Sequence, residues 1–384
     1  MKLAIITTHP IQYYAPVFKL LHERGLVNVK VFYTWGEGSQ QKHDPGFNKT
    51  VNWDIALLDG YPYEWVKNTS KTPGSHIFKG VVTPGLVDQI KNYNPDAILV
   101  YGWAYHGHLK VLRYFKGKVP VYFRGDSTLL NEQNGLRSLS KLLFLKWVYS
   151  HVDRAFYVGN NNKAYFRHYG LKENQLIFAP HAIDNSRFEA NRSQDAQQLR
   201  SSLSITDTDI LILYAGKFEP VKNVITLVEA FATVNQPNVH LLLVGNGPDE
   251  DELIAYTRLH DVKRLHFLNF VNQSYIPVIY QAADIFCLPS ISESWGLAVN
   301  EAMACAKVIL TSDKVGCATD LVNPGKNGDI FEAGNAIDLA KKLKYLLSKG
   351  KNGLMEMGKV SASTIKNWDF ETQVKAIEEG LNES

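Results

Sequence analysis

The sequence predicts an α/β protein made of two Rossmann-like domains, each a doubly wound parallel sheet. Short apolar runs alternate with helical segments along both halves of the chain, an order typical of parallel strands joined by right-handed crossovers. The length of 384 residues suits two domains of about 200 residues each. Because such sheets bind ligands at the carboxyl ends of their strands, we expect the domains to face each other across a ligand-binding cleft.

The first half contains one series of strands and helices. Residues 15–23 predict a helix between the first two strands, and Thr83 with Pro84 predicts a helix N-cap followed by a first-turn proline. A long segment at about 35–75 is either functional or contributes extra strands. The predicted strands are residues 3–7, 29–33, 97–101, 119–123, 154–158 and 176–178.

The pattern restarts near Pro180, and a polar segment follows at residues 185–209. We therefore assign residues 1–184 to the first domain and 185–369 to the second, and expect the last helix, 370–384, to complete the first domain. The predicted strands of the second domain are residues 210–214, 240–244, 265–268 and 285–288, and its predicted helices are residues 224–234, 250–260 and 276–281.

Composition narrows the class of protein. The 41 basic and 38 acidic residues leave a formal net charge of +3, which gives no strong attraction to nucleic acid. No apolar run approaches the roughly 20 residues of a membrane span, and the N-terminal run is too short for a signal peptide, so we expect a cytoplasmic protein. The three cysteines, Cys287, Cys305 and Cys317, form no metal-binding pattern, so we expect buried thiols.

The strongest candidate site follows the strand at residues 285–288. Glu293 precedes a helix that begins near Gly296 and Leu297, and Glu301 lies on that helix. Backbone N–H groups at the helix start suit an anion, and two carboxylates a little over two helical turns apart can accept bonds from sugar hydroxyls on one side. For an isolated pair of glutamates, a helix N-terminal acid and a solvated helical glutamate would be the simpler interpretation.

Two lysines follow the first strand of the second domain. Lys217 and Lys222 flank a turn at its carboxyl end, where two ammonium groups can neutralise a diphosphate; two ordinary surface lysines are the alternative. Asp207 and Asp209 match the D-x-D metal motif of another enzyme class. Because they precede the strand, at the end away from the cleft, we interpret them as part of a polar linker, and we expect no metal site.

Residues from about 209 to 345 resemble the retaining glycosyltransferases of family 4, which have the two-Rossmann-domain GT-B fold. The two glutamates with this spacing are the hallmark of that family, whereas the first half of the chain matches it in layout only. The matching positions are Gly216, Lys217, Lys222 and Asn223, residues 244–248, Ala283 and Asp284, residues 288–290, 293–297 and 300–304, and Asn327 with Gly328.

The resemblance implies an enzyme of the hexosyltransferase type, without a metal or another cofactor. It would transfer a sugar from a nucleotide diphosphate donor, which we expect to be a UDP-sugar, to a hydroxyl acceptor with retention, in surface polysaccharide or glycoconjugate synthesis. One departure is Lys217, where the family usually has arginine, so bidentate phosphate binding is lost there. The implied roles are Glu301 for the ribose hydroxyls, Glu293 for the donor sugar, Lys217 and Lys222 with amides near Gly296 and Leu297 for the diphosphate, and the backbone at Phe270 and Val271 for the base.

The acceptor side is less orthodox. Many relatives have a histidine after a later strand of the first domain, but Arg124 and Asp126 occupy that place here and can contact acceptor or donor; a structural Arg–Asp pair is an equal alternative. Polar and aromatic residues at the predicted strand ends suggest a surface for a glycan or a lipid-linked acceptor. The candidates are His9, Gln12, Trp103, His106 with nearby His108, Arg124 and Asp126.

A basic, aromatic and apolar helix is predicted at residues 136–149. It can make weak peripheral contact with the inner membrane, or it can pack in the core. Its leucines cover more than one stripe, which favours the core.

Two other functions remain open. One is a nucleotide-sugar epimerase with the same layout, although the paired glutamates argue against it. The other is a non-catalytic protein that binds a nucleotide-sugar or a polysaccharide.

Overall fold

The computed structural model describes residues 1–36, 42–44, 49–51, 54–132 and 135–382, which divide into two compact units. Within the described part, the first unit comprises residues 1–36, 55–132, 135–182 and 370–382. The second comprises residues 42–44, 49–51, 54 and 183–369. Each unit contains a parallel sheet with helices, so the predicted fold class of two Rossmann-like domains is confirmed.

Each of the ten strands predicted from apolar runs is present, with its ends shifted by at most two residues, whereas the strands Val308–Ser312 and Gly328–Phe331 were not predicted. The strands are, in chain order, β1 (Lys2–Thr7), β2 (Asn28–Tyr33), β3 (Lys42–Asp44), β4 (Lys49–Val51), β5 (Tyr63–Trp65), β6 (Ala97–Tyr101), β7 (Val121–Arg124), β8 (Arg154–Tyr157), β9 (Leu176–Phe178), β10 (Ile210–Ala215), β11 (Val239–Val244), β12 (Leu265–Leu268), β13 (Ile285–Leu288), β14 (Val308–Ser312) and β15 (Gly328–Phe331).

The helices connect these strands. They are α1 (Ala15–Arg24), α2 (Leu86–Tyr93), α3 (His106–Phe115), α4 (Leu136–Tyr149), α5 (Asn160–His168), α6 (Asn185–Glu189), α7 (Ser193–Ser202), α8 (Val224–Val234), α9 (Glu250–Leu259), α10 (Ile276–Ala282), α11 (Leu297–Ala304), α12 (Ala318–Leu321), α13 (Ala336–Leu347), α14 (Gly350–Ile365) and α15 (Phe370–Asn382).

Both sheets are parallel and have a buried centre. The first unit has the strand order β5-β2-β1-β6-β7-β8-β9, and the second has β12-β11-β10-β13-β14-β15. The central strands β1 and β10 are almost entirely buried, as expected for strands covered by helices on both faces. In the second unit β10 pairs with β11 on one side and with β13 on the other, so the strand order reverses there.

The structure corrects two local predictions. Thr83 does not cap a helix, because its buried hydroxyl has no hydrogen-bond partner and α2 begins only at Leu86, after Gly85. The polar segment at 185–209 contains two helices, α6 and α7, which its lack of strand formers did not reveal. In the long segment at 35–75, β5 extends the first sheet and β3 pairs with β4; residues 37–41, 45–48 and 52–53 of that segment lie outside the described part.

The prediction that residues 136–149 form a core helix is wrong for one face of α4. Leu145 and Val148 are buried, but Leu139 and Leu143 are 56% and 63% exposed. One side of the helix packs on the sheet and leaves the opposite apolar side uncovered. None of the helices in the described part of the chain combines the length and the apolarity needed to cross a membrane.

The cysteines and one histidine are buried in the two cores. Cys287, Cys305 and Cys317 are free and buried, as predicted. His108 is completely buried: its Nδ1 lies 3.1 and 3.0 Å from the carbonyl oxygens of Tyr101 and Gly102. Because carbonyl oxygens only accept hydrogen bonds, Nδ1 carries the proton. Burial lowers the pKa of His108 to about 4.

We expect His108 to make the fold sensitive to acid. Its folded pKa lies below the ordinary value of 6.5, so its contribution is complete above that pH and is lost as the pH falls toward 4. The full difference corresponds to about 3 kcal/mol. Urea unfolding at successive pH values should show that His108→Gln reduces the loss of unfolding free energy over this range. His22→Gln, at an exposed position on α1, is the matched control; equal pH dependence in wild type and His108→Gln would contradict the expectation.

Candidate functional site

The candidate residues of the second unit lie at the centre of its sheet. Lys217 follows β10, and Glu293 follows β13 after a short loop. Because β10 and β13 are neighbouring parallel strands, both loops leave the same edge of the sheet. This edge is the point where the strand order reverses, the usual ligand position in such sheets.

Lys222 and Glu293 join the two motifs. The Lys222 ammonium contacts Oε2 of Glu293 in an ion pair, although the residues lie in loops that follow different strands. Their side chains are 23% and 18% exposed, so solvent screens the pair only in part. The backbone supports this contact, since the Ile291 N–H donates to the Val221 carbonyl at 3.0 Å. The sheet therefore brings together a carboxylate and an ammonium group that the sequence analysis selected separately.

The Glu293 loop is held against a second loop by backbone hydrogen bonds. The Glu293 N–H donates to Lys314 O at 3.1 Å, and the Gly316 N–H donates back to Glu293 O at 3.0 Å. The Cys317 N–H donates to Trp295 O at 2.9 Å. We call these two segments, residues 293–296 and 314–317, the paired loops. The hydrogen bonds between the paired loops fix the backbone at Glu293 and at the residues that follow it.

Two glycines make the paired loops possible. A Cβ at Gly316 would lie 1.8 Å from Ser294 O, so a larger residue would force the loops apart. Gly296 directly precedes α11 and has φ +97°, a backbone conformation that disfavours residues with an L side chain. The helix therefore begins at Leu297, and its first N–H groups lack intrahelical acceptors, as at any helix start. The amides at this helix start lie at the carboxyl-end edge of the sheet; their binding of an anion stays a prediction.

Glu301 lies deeper than Glu293. It is only 5% exposed, and its Oε2 accepts a hydrogen bond from the Tyr280 hydroxyl at 2.8 Å. The Tyr280 ring packs against Phe188 and Phe286, with centroid distances of 5.8 and 5.5 Å. Sequence reasoning missed Tyr280; the available signal was a hydroxyl that follows four apolar residues in the helix predicted at 276–281.

A second buried tyrosine, Tyr214, positions the Lys217 turn. Its hydroxyl donates to the Lys217 carbonyl at 2.6 Å. Burial, followed by the charges of Glu293 and Glu219, raises the pKa of Tyr214 well above its ordinary value. The hydroxyl therefore remains protonated and continues to donate at any working pH. The sequence analysis treated Tyr214 only as the end of a strand.

Asn246 organises the segment that contains the predicted base-binding residues. Its Oδ1 accepts from the Phe270 N–H at 2.9 Å, and its Nδ2 donates to Glu250 Oε2 and to Asn269 Oδ1 at 3.0 and 2.9 Å. Asn246 is buried, whereas Phe270 and Val271 are half-buried. One side chain therefore ties the loop after β11 to the loop after β12.

Two tryptophans brace the paired loops. The Trp295 and Trp368 rings stack with centroids 5.1 Å apart, and the indole N–H of Trp295 donates to Asn300 Oδ1 at 3.0 Å. Trp368 lies just before α15, far from Trp295 in sequence. The stack attaches the loop in front of α11 to the last residues of the second unit.

On the acceptor side, Arg124 is buried at the end of β7. Its terminal nitrogens donate to the carbonyls of Ala179 and Pro180 at 2.9 and 3.0 Å. Burial lowers the pKa of Arg124, while the nearby Tyr101 and Asp126 act in the opposite direction. These contacts give Arg124 a structural task inside the first unit; the acceptor role of Arg124 and Asp126 stays a prediction.

The other acceptor candidates contact separate neighbours, and their role also stays a prediction. His106 is exposed and Gln12 is half-buried. The aromatic contacts are His9 with Trp35 at 5.1 Å, Trp103 with Phe144 at 5.6 Å, and His106 with Phe78 at 6.0 Å between ring centroids.

The D-x-D segment lies at the opposite edge of the second sheet. Asp209 directly precedes β10 and accepts hydrogen bonds from the N–H and Oγ1 of Thr206 at 2.8 and 2.6 Å. It therefore holds a turn at the amino end of the strand. Across the described ranges, no three His, Cys, Asp or Glu side chains are grouped so that they could hold a metal ion.

A family model matches the second half of the chain. The family model described as glycosyl transferases group 1 matches residues 195–361. A Bacillus anthracis N-acetyl-alpha-D-glucosaminyl L-malate synthase is 31% identical over 156 residues, which is 40% of this chain and 40% of that protein. The chain thus aligns with well under half of that relative.

Other proteins match nearly the whole chain. Two solved structures share the fold: sucrose-phosphate synthase from Thermosynechococcus elongatus (TM-score 0.75, 20% identity, 100% of this chain and 98% of that one) and Anabaena HepE in complex with UDP (0.76, 17%, 100% of both). A Campylobacter jejuni N,N'-diacetylbacillosaminyl-diphospho-undecaprenol alpha-1,3-N-acetylgalactosaminyltransferase is 30% identical over 345 residues, covering 88% of this chain and 86% of that protein. With this similarity over most of both chains, the protein belongs to the glycosyl transferases group 1.

Proposed function

We propose that this protein is a retaining glycosyltransferase of family 4 that transfers a hexose-type sugar from a UDP-sugar to a hydroxyl of a lipid-linked glycan, without a metal ion. The observation that supports this best is the contact of Lys222 with Glu293 beside the helix start at Leu297. It places a cation, a carboxylate and amide donors at one sheet edge. Anabaena HepE, which shares the fold, has been solved with UDP and with UDP-glucose.

In the proposed donor complex each group has one task. The buried Glu301 carboxylate accepts hydrogen bonds from the ribose hydroxyls, and Glu293 accepts them from the donor sugar. The backbone at Phe270 and Val271, held by Asn246, contacts the base. Lys222 can exchange its contact with Glu293 for one with the diphosphate, since both partners are anionic.

The chemical step depends on the charge of the leaving group. As the bond between sugar and phosphate breaks, negative charge grows on the diphosphate. Lys217, Lys222 and the N–H groups at the start of α11 stabilise this charge in the absence of a metal. The departing phosphate oxygen then takes the proton of the acceptor hydroxyl.

The proposed acceptor lies at a membrane surface. The Campylobacter jejuni relative is named for a diphospho-undecaprenol acceptor. On α4, the α4 apolar face comprises Leu139, Leu143, Phe144 and Trp147, which are 56%, 63%, 43% and 41% exposed. Amphipathic helices with aromatic and aliphatic residues on one side bind at lipid interfaces.

A basic side chain contacts the α4 apolar face, and two lysines, Lys141 and Lys146, lie on α4 itself. The Arg113 guanidinium lies 5.5 Å from the Trp147 ring centroid. Among the described side chains of residues 102–151, the exposed basic residues are Lys110, Arg113, Lys116, Lys118, Lys141 and Lys146. Lys116 forms an ion pair with Asp153 and Lys141 forms one with Glu132, so these two charges are partly compensated. Each such charge near an anionic bilayer contributes about 1 kcal/mol, so the proposed contact is peripheral and sensitive to salt.

We expect Glu301→Ala to weaken UDP binding about tenfold or more, because a hydrogen bond to a charged group contributes about 1.5–3 kcal/mol. Calorimetric titration with UDP measures the effect. Glu356→Ala, at an exposed position on α14, is the control. Unchanged UDP affinity in a folded Glu301→Ala variant would exclude Glu301 as a ribose ligand.

We expect Lys217→Ala/Lys222→Ala to lower kcat more than it weakens donor binding, because the charge that the lysines stabilise is largest in the transition state. A thermal-shift screen of nucleotide diphosphate sugars first identifies the donor. Turnover is then measured with and without a chelator. Lys263→Ala/Lys359→Ala removes two exposed lysines of the same unit as a control. Strict dependence on added magnesium or manganese would contradict the metal-free mechanism.

We expect the protein to co-sediment with vesicles of phosphatidylglycerol and phosphatidylcholine at physiological salt. Leu143→Ser/Trp147→Ser should reduce the bound fraction about tenfold, because less apolar surface is removed from water. The matched control, Leu259→Ser/Ile337→Ser, changes two residues of the second unit that are 80% and 85% exposed. Equal losses in both variants would show that binding does not depend on the α4 apolar face.

A further inference from the structure

The buried carboxylate of Glu301 has a fixed hydrogen-bond donor on a different helix. Glu301 lies on α11 and is 5% exposed, and the hydroxyl that donates to its Oε2 belongs to Tyr280 on α10, 2.8 Å away. A buried charge is costly unless polar groups satisfy it. The Tyr280 hydroxyl meets part of this need through its hydrogen bond to Oε2.

The position of the Tyr280 hydroxyl is set by the packing of its ring. Tyr280 is 1% exposed, and its ring lies between Phe188 of α6 and Phe286 of β13. A ring held on two sides has little freedom to rotate. The hydroxyl is therefore a rigid reference point, and the bond that it donates selects one orientation of the Glu301 side chain.

We propose that Tyr280 is a positioning residue for nucleotide recognition, which orients Glu301 so that its carboxylate distinguishes a ribose from a deoxyribose. This inference rests on the proposed function, because it takes Glu301 as the ribose ligand. A site distinguishes ribose from deoxyribose when the missing hydroxyl leaves a buried protein group without a hydrogen-bond partner, which costs binding free energy. This cost is large only if the carboxylate is aligned with the position of that hydroxyl. Without the tyrosine hydroxyl, Glu301 can turn toward other donors and bind both sugars more equally.

A purely structural role of Tyr280 predicts a different result. If Tyr280 only satisfies a buried charge, its loss lowers stability and weakens UDP and 2′-deoxy-UDP by the same factor. If Tyr280 orients Glu301, its loss weakens UDP more than 2′-deoxy-UDP. The ratio of the two dissociation constants therefore separates the roles, whatever happens to stability.

The experiment is calorimetric titration of the full chain with UDP, 2′-deoxy-UDP and 3′-deoxy-UDP. We expect wild type to prefer UDP over at least one deoxy analogue by about tenfold, and Tyr280→Phe to reduce this preference several-fold. Tyr280→Phe should add little in a Glu301→Gln background, because both changes act through the same carboxylate. Phe188→Leu, which keeps the hydroxyl but loosens the ring, should give an intermediate preference and serves if Tyr280→Phe does not fold.

Tyr33→Phe is the matched control. It also removes a buried hydroxyl bond, the 2.6 Å contact of Tyr33 with Tyr61, but in the first unit, so the preference should not change. If wild type discriminates and both Tyr280→Phe and Phe188→Leu keep the full preference, the inference about Tyr280 is overturned while the ribose role of Glu301 stands. If wild type binds UDP and both analogues equally, the ribose role itself fails and the inference fails with it.

Discussion

The geometry of the candidate site depends on the close backbone contact between the paired loops. Neighbouring parallel strands β13 and β14 bring these loops to one edge of the sheet. Parallel pairing alone does not fix how a loop runs beyond its strand; the hydrogen bonds between Glu293, Lys314 and Gly316 do so. The Cβ-free surface of Gly316 is the condition for this contact. With the loops apart, Glu293 would lose its backbone support beside Lys222.

Around that frame the second unit combines two electrostatic environments. The Lys222–Glu293 pair is partly exposed, so water moderates its energy and a ligand can exchange with it. Glu301 is buried, so little water competes for hydrogen bonds to its carboxyl group. A partly exposed ion pair, which a ligand can displace, suits a phosphate whose charge changes during the proposed reaction. A deep carboxylate that stays in place suits a ribose whose charge does not.

The sequence predicted the features that depend on local pattern. Apolar runs located the strands, and their alternation with helices implied parallel sheets, which explains why Lys222 and Glu293 lie at the same edge. The partners that position the site were not predictable. Tyr280 contacts Glu301, and Trp368 contacts Trp295, across elements whose packing the sequence pattern does not encode. The role of Asn246 was not predictable either, because the sequence pattern marks it only as a loop residue, whereas in the fold its side chain links two loops.

Errors arose where one pattern fits two environments. A helix with leucines on several sides is typical of a core helix, and it equally fits a helix such as α4 that packs on one side and exposes the other. Leu143 and Leu145 have the same chemistry and differ only in what lies opposite them. Thr83 has the sequence signature of a cap, but α2 begins three residues later, so its hydroxyl has no N–H of the first turn to bind.

The three buried thiols can report local opening of the structure through their rates of alkylation. Burial raises the pKa of Cys287 and Cys317, and that of Cys305 to about 12, so each thiol reacts with an alkylating reagent only when its surroundings open. Cys287 lies in the sheet, Cys305 lies at the end of α11, and Cys317 lies in the paired loops, where its thiol contacts the Gly296 carbonyl. Alkylation rates of the individual cysteines, measured by mass spectrometry, would then give the opening rates of three different regions in one unmodified protein. If a nucleotide slows the alkylation of Cys317 alone, the nucleotide binds near the paired loops, and no substitution is needed to show it.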